Sequence, residues 1–227
     1  MPEPRPGQFF MIEVNKGTDP LLKRAFSLFR KTENGLQILY RVRGKGTEIL
    51  KEMKEGSVIE VLGPLGTCYP LPSGDVVPLV IAGGIGIASV FSFIEQLAGR
   101  AIVFYGARTK NDLLMHDELK GFAKEILVST DDGSAGQKGT IADSLSAFLS
   151  IPQSPISNYL MYACGPHLLL KAVSEIAKEY KIPSYISMEE HMACGIGACL
   201  GCVVKTRDGY TRVCKEGPVF EAKELIW

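Results

Sequence analysis

The sequence lacks several features that would place it in a simple class. It has no run of 18 apolar residues, so no transmembrane helix is predicted. Its first residues form no apolar signal region, and we therefore expect the chain to stay in the cytoplasm. Neither sign of charge is in excess, since Lys and Arg together number 25 and Asp and Glu together number 25. This balance, without a basic run of five residues, argues against a dedicated nucleic-acid binder.

What is present is a globular composition whose pattern changes twice along 227 residues. Residues 1–72 are predicted to be β-rich and to end in a linker containing Pro and Gly. Between 75 and 188, short apolar strands alternate with helical patterns, which is typical of a parallel, doubly wound sheet. Residues 189–227 hold a cysteine cluster and a hairpin signal. Particular expectations are strands at 36–42 and 58–62, a turn at 63–66, a helix capped by Thr47 and a helix near 113–122.

Four of the six cysteines lie close together near the C-terminus, with the spacing Cys194-x4-Cys199-x2-Cys202-x11-Cys214. The first three match the plant-type spacing of ligands to a 2Fe–2S cluster. Four thiolates can bind two irons in pairs, and the intervening glycines let backbone N–H groups approach the sulfurs. In a cytoplasmic chain, such cysteines are more often metal ligands than disulfide partners.

Structural zinc is an alternative for the same four thiolates. Zinc sites prefer two C-x2–4-C pairs, and only Cys199 and Cys202 form a clean one. Unligated cysteines in a core are a third interpretation. The spacing favours a 2Fe–2S cluster over both.

The sequence around these cysteines also resembles a known family. Residues 188–202, Met-Glu-Glu-His-Met-Ala-Cys-Gly-Ile-Gly-Ala-Cys-Leu-Gly-Cys, look like the cluster loop of the electron-transfer subunits of dihydroorotate dehydrogenase type B, in the ferredoxin reductase superfamily. The resemblance covers nearly the whole chain. It implies a flavin-binding β-barrel (1–72), an α/β parallel-sheet nicotinamide domain (75–188) and a small C-terminal iron–sulfur subdomain (189–227). Family barrels begin with strands ahead of the segment found here at 6–9, so we expect a shortened barrel.

Within that resemblance, the segment 24–27 is similar to the flavin-binding element Arg-x-(Tyr/Phe)-Ser. Arginine offers a fixed fork of donors to the FAD pyrophosphate, and the serine hydroxyl suits the flavin ring edge near N5. Residues 39–41 are expected to line the flavin from the next strand, and the backbone at 46–47 suits a phosphate. The alternative interpretations are an ordinary surface arginine at the segment 24–27 and an ordinary turn and helix cap at 46–47. The predicted FAD residues are Arg24, Ala25, Phe26, Ser27, Leu39, Tyr40, Arg41, Gly46 and Thr47.

The nicotinamide side is predicted from a glycine loop at 83–86, which follows a strand and opens a helix. The loop is not a full G-x-G-x-x-G, and no acidic residue ends the next strand, so a tight structural turn is the alternative. In the superfamily, the strand-end Cys-Gly-Pro lies by the nicotinamide, and a small side chain there leaves room for the ring. The predicted NAD residues are Gly83, Gly84, Gly86, Cys164, Gly165, Pro166 and Glu189.

The resemblance implies an electron-transfer subunit of NAD-dependent dihydroorotate dehydrogenase in pyrimidine biosynthesis. The implied partner is an FMN-containing catalytic subunit, in a heterotetramer of two plus two. Electrons would pass from FMN through the 2Fe–2S cluster and FAD to NAD+, so no catalytic side chain is predicted. The chain is not expected to oxidise dihydroorotate alone. The alternatives are a reductase subunit for another acceptor, such as the small subunit of a bifurcating transhydrogenase or sulfide dehydrogenase, and a non-enzymatic zinc domain.

Overall fold

A computed structural model describes residues 2–151 and 156–227 of the chain. In this part of the chain, no helix is both long and apolar enough to cross a membrane. The N-terminal region is built mainly from short antiparallel strands. Its elements are β1 (Phe9–Ile12), β2 (Arg24–Ser27), β3 (Arg30–Thr32), β4 (Gly35–Gln37), α1 (Lys45–Glu52) and β5 (Val61–Leu65).

Strand β1 is the centre of the N-terminal sheet, whose order is β2-β1-β5, while β3 and β4 form a separate hairpin. All four residues of β1 are buried, because each of its two faces packs into a different core. Phe10 and Ile12 pack with Leu28 in a small N-terminal core. Phe9 and Met11 point into the larger core beneath the second sheet. The strand therefore attaches the N-terminal region to the rest of the molecule.

Four local expectations for this region are wrong. The strand predicted at 36–42 ends at Gln37, and the residues that follow line a cavity in place of pairing with a neighbour. The strand predicted at 58–62 begins only at Val61. It continues to Leu65, through most of the turn predicted at 63–66, because β5 has one extra residue opposite β1 and so keeps its pairing past Pro64. Such a bulge accommodates Pro64, which has no N–H for a regular ladder. Thr47 is not the cap of α1, which is Gly44.

The second sheet has the order β14-β11-β10-β6-β7-β8-β9. Every pair from β11 to β9 is parallel, and β14 is antiparallel to β11. The strands are β6 (Val77–Gly83), β7 (Ile102–Ala107), β8 (Glu125–Thr130), β9 (Gln137–Lys138), β10 (Tyr159–Cys164) and β11 (Ser184–Ser187). The helices are α2 (Ile87–Gln96), α3 (His116–Leu119), α4 (Ile141–Ser150) and α5 (His167–Glu179).

Both faces of this sheet are covered, which explains why its strands read as continuous apolar runs. Alternate residues of β6, such as Val80 and Ala82, pack in one core with α2. The residues between them, Leu79 and Ile81, pack in the other core with α4 and α5. The helix predicted near 113–122 is limited to the single turn of α3, and the chain on either side of it is irregular.

The C-terminal region contributes the hairpin of β12 (Val203–Thr206) and β13 (Gly209–Arg212), as its Asp-Gly signal predicts, and then β14 (Val219–Glu221). Strand β14 is absent from the sequence expectations. It pairs with β11, so the segment that follows the last cysteine closes one edge of the large sheet.

Arg30 joins the β3–β4 hairpin to the helices of the second sheet. Its Nε donates to Glu95 Oε1 at 2.7 Å, and its Nη2 to Glu118 Oε2 at 3.2 Å. Its guanidinium also lies 4.9 Å from the ring centroid of Phe91. The Arg30 side chain is only 24% exposed, so these charges are partly shielded from water. The contact therefore contributes to the attachment of the two sheets.

Replacing Arg30 with Ala is expected to lower the free energy of unfolding by about 1–2 kcal/mol, because the partly buried Glu95 loses its ion pair and the ring of Phe91 loses its contact with the guanidinium. The midpoint of urea unfolding measures this loss. Lys31→Ala is the matched control, since Lys31 pairs with Glu3 on the exposed surface. Equal midpoints for Arg30→Ala and Lys31→Ala would show that the contact does not hold the sheets together.

Candidate functional site

A cavity of about 1300 Å³ lies between the N-terminal strands and the second sheet. On the second sheet, it is lined by the segments that follow β6, β7, β8, β10 and β11. These are the carboxyl ends of the parallel strands. The chain leaves β6 towards β7 on one side and returns through β10 on the other, so the cavity sits at the topological switch point of the sheet. Ligands of open α/β sheets bind at this position.

Close backbone contact at the switch point requires the glycines of the 83–86 loop. A Cβ on Gly86 would lie 2.4 Å from the carbonyl oxygen of Cys164, which is closer than real side chains allow. A Cβ on Gly165 would lie 3.0 Å from the Cα of Gly83. The ends of β6 and β10 are therefore in direct contact, and the helix α2 begins directly above them. Gly83, Gly84, Gly86, Gly165 and Pro166 all line the cavity.

The opposite wall is formed by the predicted flavin residues, which all line the same cavity. The rings of Phe26 and Tyr40 face each other at 5.5 Å between centroids, although Tyr40 lies on an irregular segment and not on the expected strand. Arg24 lies directly over Gly46, where a Cβ would come within 2.7 Å of its Nε. Thr47 accepts hydrogen bonds from the N–H groups of Arg43 and Gly44, at 2.9 and 3.1 Å, and so orders the first turn of α1.

This wall also carries several basic side chains. Lys23 is paired with Glu13 and Lys45 with Asp19, and the arginines suit an anionic pyrophosphate. The sequence analysis identified Arg24 and Arg41 but missed Lys23, Arg43 and Lys45, which line the cavity as well. The basic residues between 41 and 45 are visible in the sequence, but nothing in it shows that they face the same space as Arg24. The residues present therefore fit FAD in both charge and shape.

Arg41 connects the two walls. Its Nη2 lies 3.1 Å from Oδ1 of Asp112, which belongs to the loop after β7. Thr109 Oγ1 donates to the other carboxylate oxygen of Asp112 at 3.1 Å. The ion pair therefore crosses the cavity at one side and joins the flavin wall to the dinucleotide wall.

Cys164 differs from the other predicted residues, because it lies beneath the cavity floor and does not line the cavity. It is fully buried, and burial raises the pKa of its thiol far above the usual range, so it stays protonated. Its Sγ lies 3.9 Å from Oε1 of Glu189, which does line the cavity. Desolvation by the walls of the cleft also raises the pKa of Glu189, and the charge of Arg43 opposes this shift. Glu189 is thus placed between the buried thiol and the open space.

The four clustered cysteines form two pairs just beyond the cavity. The N–H of Cys199 donates to Cys194 Sγ at 3.4 Å, and the N–H of Cys214 donates to Cys202 Sγ at 3.4 Å. None of the four lines the cavity, but their neighbours Ala193 and Gly201 do. One cysteine of each pair, Cys194 and Cys202, is thus bonded in the chain to a residue that lines the cavity.

This arrangement suits a two-iron cluster better than a single metal ion. Among residues 2–151 and 156–227, no group of three or more His, Cys, Asp or Glu side chains is arranged to hold one ion. A tetrahedral zinc site requires four converging ligands, whereas a 2Fe–2S cluster takes two thiolates on each iron. The pairing and the donor chemistry therefore fit the cluster.

The loop between Cys194 and Cys199 is shaped to donate to sulfur. N–H groups of Ile196 and Cys199 lower the pKa of Cys194 to about 6, which favours its thiolate. Burial, by contrast, raises the pKa of Cys214 to about 12. A Cβ on Gly195 would lie 2.5 Å from Cγ of Met11, so the loop packs tightly against β1. The N-terminal sheet, and not only the local sequence, therefore supports the loop.

Comparisons with known proteins agree with this geometry. A family model described as the iron-sulfur cluster binding domain of dihydroorotate dehydrogenase B matches residues 189–226, and one described as an oxidoreductase NAD-binding domain matches residues 80–175. Among solved structures, that of an NADH-dependent reduced ferredoxin-NADP oxidoreductase has a TM-score of 0.86 and 29% identity, over 99% of this chain and 80% of that chain. A ferredoxin reductase of carbazole 1,9a-dioxygenase has a TM-score of 0.65 over 80% of this chain and 58% of that chain.

The protein is therefore an oxidoreductase subunit with the ferredoxin reductase-like fold, as the sequence predicted. Relatives at higher identity narrow this class. The dihydroorotate dehydrogenase B (NAD(+)) electron transfer subunit of Desulforamulus reducens is 36% identical, over 98% of this chain and 87% of the relative. That of Caldanaerobacter subterraneus subsp. tengcongensis is 38% identical, over 99% and 88%. The chain belongs to the family of dihydroorotate dehydrogenase B electron transfer subunits. The expected cofactors, FAD, a 2Fe–2S cluster and NAD, are confirmed at the level of these families and folds.

Gly46→Ala is expected to weaken FAD binding about tenfold, because the new Cβ displaces the Arg24 guanidinium from the flavin wall. Fluorescence titration of the flavin-free protein with FAD measures the affinity. Gly35→Ala is the matched control, since a Cβ at Gly35 meets no atom within 4 Å. Unchanged affinity in Gly46→Ala would remove Arg24 from the FAD site.

Cys199→Ser is expected to abolish the cluster, because one iron loses a thiolate. Iron and sulfide content, visible absorption and electron paramagnetic resonance of the anaerobically purified protein provide the measurement. Cys68→Ser is the control, since Cys68 lies outside both cysteine pairs. Full iron content and unchanged spectra in Cys199→Ser would rule out Cys199 as a ligand.

Proposed function

We propose that this chain is the electron-transfer subunit of an NAD-dependent dihydroorotate dehydrogenase that acts in pyrimidine biosynthesis. Its partner is an FMN-containing catalytic subunit, in an assembly of two copies of each. Electrons from dihydroorotate reach this chain through the partner, pass to the 2Fe–2S cluster and FAD, and leave on NAD+. The thiolate ligands need a reducing compartment, which supports a cytoplasmic location.

The single observation that carries this proposal is the shared cavity. It is lined on one side by the flavin residues, on the other by the glycine loop, and at its rim by Ala193 and Gly201 of the cysteine loop. Sites for a flavin, a dinucleotide and a cluster therefore adjoin one another within one chain. This arrangement supports a relay of electrons and requires no protein nucleophile.

The bound flavin supplies exchange of two electrons with a nicotinamide and of single electrons with an iron–sulfur centre. The protein's own residues bind and orient. Arg24 and its basic neighbours hold an anionic phosphate group, the contact of Gly86 with Cys164 keeps the dinucleotide crevice open, and Glu189 presents a carboxyl group at the floor.

The surface around the cluster loop supports docking of the catalytic subunit. Cys199 is exposed, so one pair of ligands is close to the surface. Ile196 and Leu200 beside it are 55% and 61% exposed. Apolar side chains on both sides of an exposed cysteine suit a partner that covers the cluster.

A second candidate is a reductase subunit that serves another acceptor. The 29% identity and TM-score of 0.86 with the NADH-dependent reduced ferredoxin-NADP oxidoreductase favour it as the alternative. The two candidates share the cavity and the cysteine loop, and they differ only in the partner that delivers or receives electrons.

The decisive experiment combines the purified chain with the FMN-containing subunit encoded in the same organism. We expect a stable complex that oxidises dihydroorotate with NAD+, while this chain alone reduces an artificial dye with NADH but does not oxidise dihydroorotate. The complex made with Cys199→Ser is the control and is expected to lose NAD+ reduction while its FMN subunit still oxidises dihydroorotate with a dye. A cluster-loaded chain that forms no complex, or a complex inactive with NAD+, would contradict the proposal.

A further inference from the structure

Arg212 connects the two halves of the cysteine site. It is the last residue of β13 and lies two positions before Cys214. Its Nη1 donates to the carbonyl oxygen of Gly197 at 2.9 Å. Gly197 lies between Cys194 and Cys199, so the guanidinium ties the loop of the first cysteine pair to the strand that leads to the second pair.

Glu216 holds the guanidinium in this orientation. Nε of Arg212 donates to Oε2 of Glu216 at 3.0 Å, and Nη2 makes a second, short bond to Oε1. The backbone N–H of Arg212 also donates to Oε2 at 3.0 Å, while the N–H of Glu216 donates to the Arg212 carbonyl oxygen at 3.0 Å. A two-pronged pair of this kind fixes direction as well as distance. The turn that carries Cys214 is therefore closed around the arginine.

The backbone at Gly197 is adapted to this contact. Its φ of +82° is unfavourable for other residues, and a Cβ there would lie 2.8 Å from Cδ of Lys215. The loop thus packs directly against the segment that carries Arg212 and Glu216.

The guanidinium also places a positive charge next to the sulfurs. A guanidinium stays protonated throughout the ordinary pH range, and Cys214 and Cys202 lie close enough to interact with its charge. The carboxylate of Glu216 partly cancels that charge. Charges and hydrogen bonds beside the ligands tune the potential of an iron–sulfur cluster. The ion pair thus affects both the shape and the potential of the site.

We infer that Arg212, oriented by Glu216, is a positioning residue that fixes the two cysteine pairs relative to each other and raises the reduction potential of the 2Fe–2S cluster. The inference rests on the proposed function, because it requires the cluster.

The test compares Arg212→Gln, Glu216→Gln and Arg212→Lys in the full chain. Arg207→Gln is the matched control, because Arg207 lies in the turn at the far end of the same hairpin, where Thr206 pairs with Gly209. The register places Arg212 opposite Val203, three pairs away, which is about 10 Å along the strands. Two quantities are measured anaerobically: the midpoint potential, by a titration followed by electron paramagnetic resonance, and the rate of iron loss to a chelator.

The two glutamine variants break the same ion pair but change the charge in opposite directions. We expect Arg212→Gln to lower the midpoint potential of the cluster and Glu216→Gln to raise it. At a fixed solution potential, each shift changes the ratio of reduced to oxidised cluster two- to fivefold. This change corresponds to about 20–40 mV for a one-electron couple. Both glutamine variants are expected to lose iron several times faster than the wild type. Arg212→Lys is expected to keep the wild-type potential, because it keeps the positive charge. It should still lose iron faster, because lysine cannot form the bidentate hydrogen bonds of arginine.

A purely structural role would accelerate iron loss without shifts of opposite sign, and this result would overturn the electrostatic half of the inference. Iron loss and potentials equal to those of Arg207→Gln in all three variants would overturn it entirely. If the wild-type chain itself holds no iron and sulfide, the proposed function is contradicted. If the wild-type chain holds the cluster but the variants behave like Arg207→Gln, only the inference about Arg212 is contradicted.

Discussion

The backbone of Gly86 packs against the backbone of Cys164 at the point where the parallel sheet reverses its strand order, with no space for a side chain between them. This contact sets the position of α2 above β6 and of α5 beyond β10, and so opens the crevice between them. The flavin wall faces this crevice because β1 contributes Phe9 and Met11 to the core beneath the sheet. The cavity depends on both packing arrangements.

The same core also includes the cysteine site. Cys202 and Cys214 are buried in the cluster of residues that contains Met11 and Met161, so the second cysteine pair is held by the main core. The first pair lies on a loop whose glycine packs against Met11. One pair is thus fixed by burial and the other by hydrogen bonds and a close backbone approach. A cluster between them would be rigid on its inner side and accessible on its outer side, as transfer to a docked partner requires.

Much of the fold follows from local patterns. The apolar runs of β6, β7 and β10, the glycine loop and the cysteine spacing were sufficient to predict a parallel sheet and a two-iron site. The errors fall where local preference was overridden. Residues 36–42 have strand-like alternation, but beyond Gln37 they pair with no strand in the described structure, and Leu39, Tyr40 and Arg41 line the cavity. Gly63-Pro64 has the composition of a turn, but it lies in β5 because a bulge opposite β1 removes the need for a proline N–H.

Thiolate spacing, glycine positions and hydrophobic period are properties of neighbouring residues, so the types of ligand and their order could be inferred without a structure. Which distant residues share a site depends on packing between elements. Lys23, Arg43 and Lys45 join Arg24 in one wall, Asp112 reaches Arg41 across the cavity, and β14 pairs with β11 at the sheet edge. These contacts link residues far apart in the chain, so they depend on how the two sheets pack and not on any local preference.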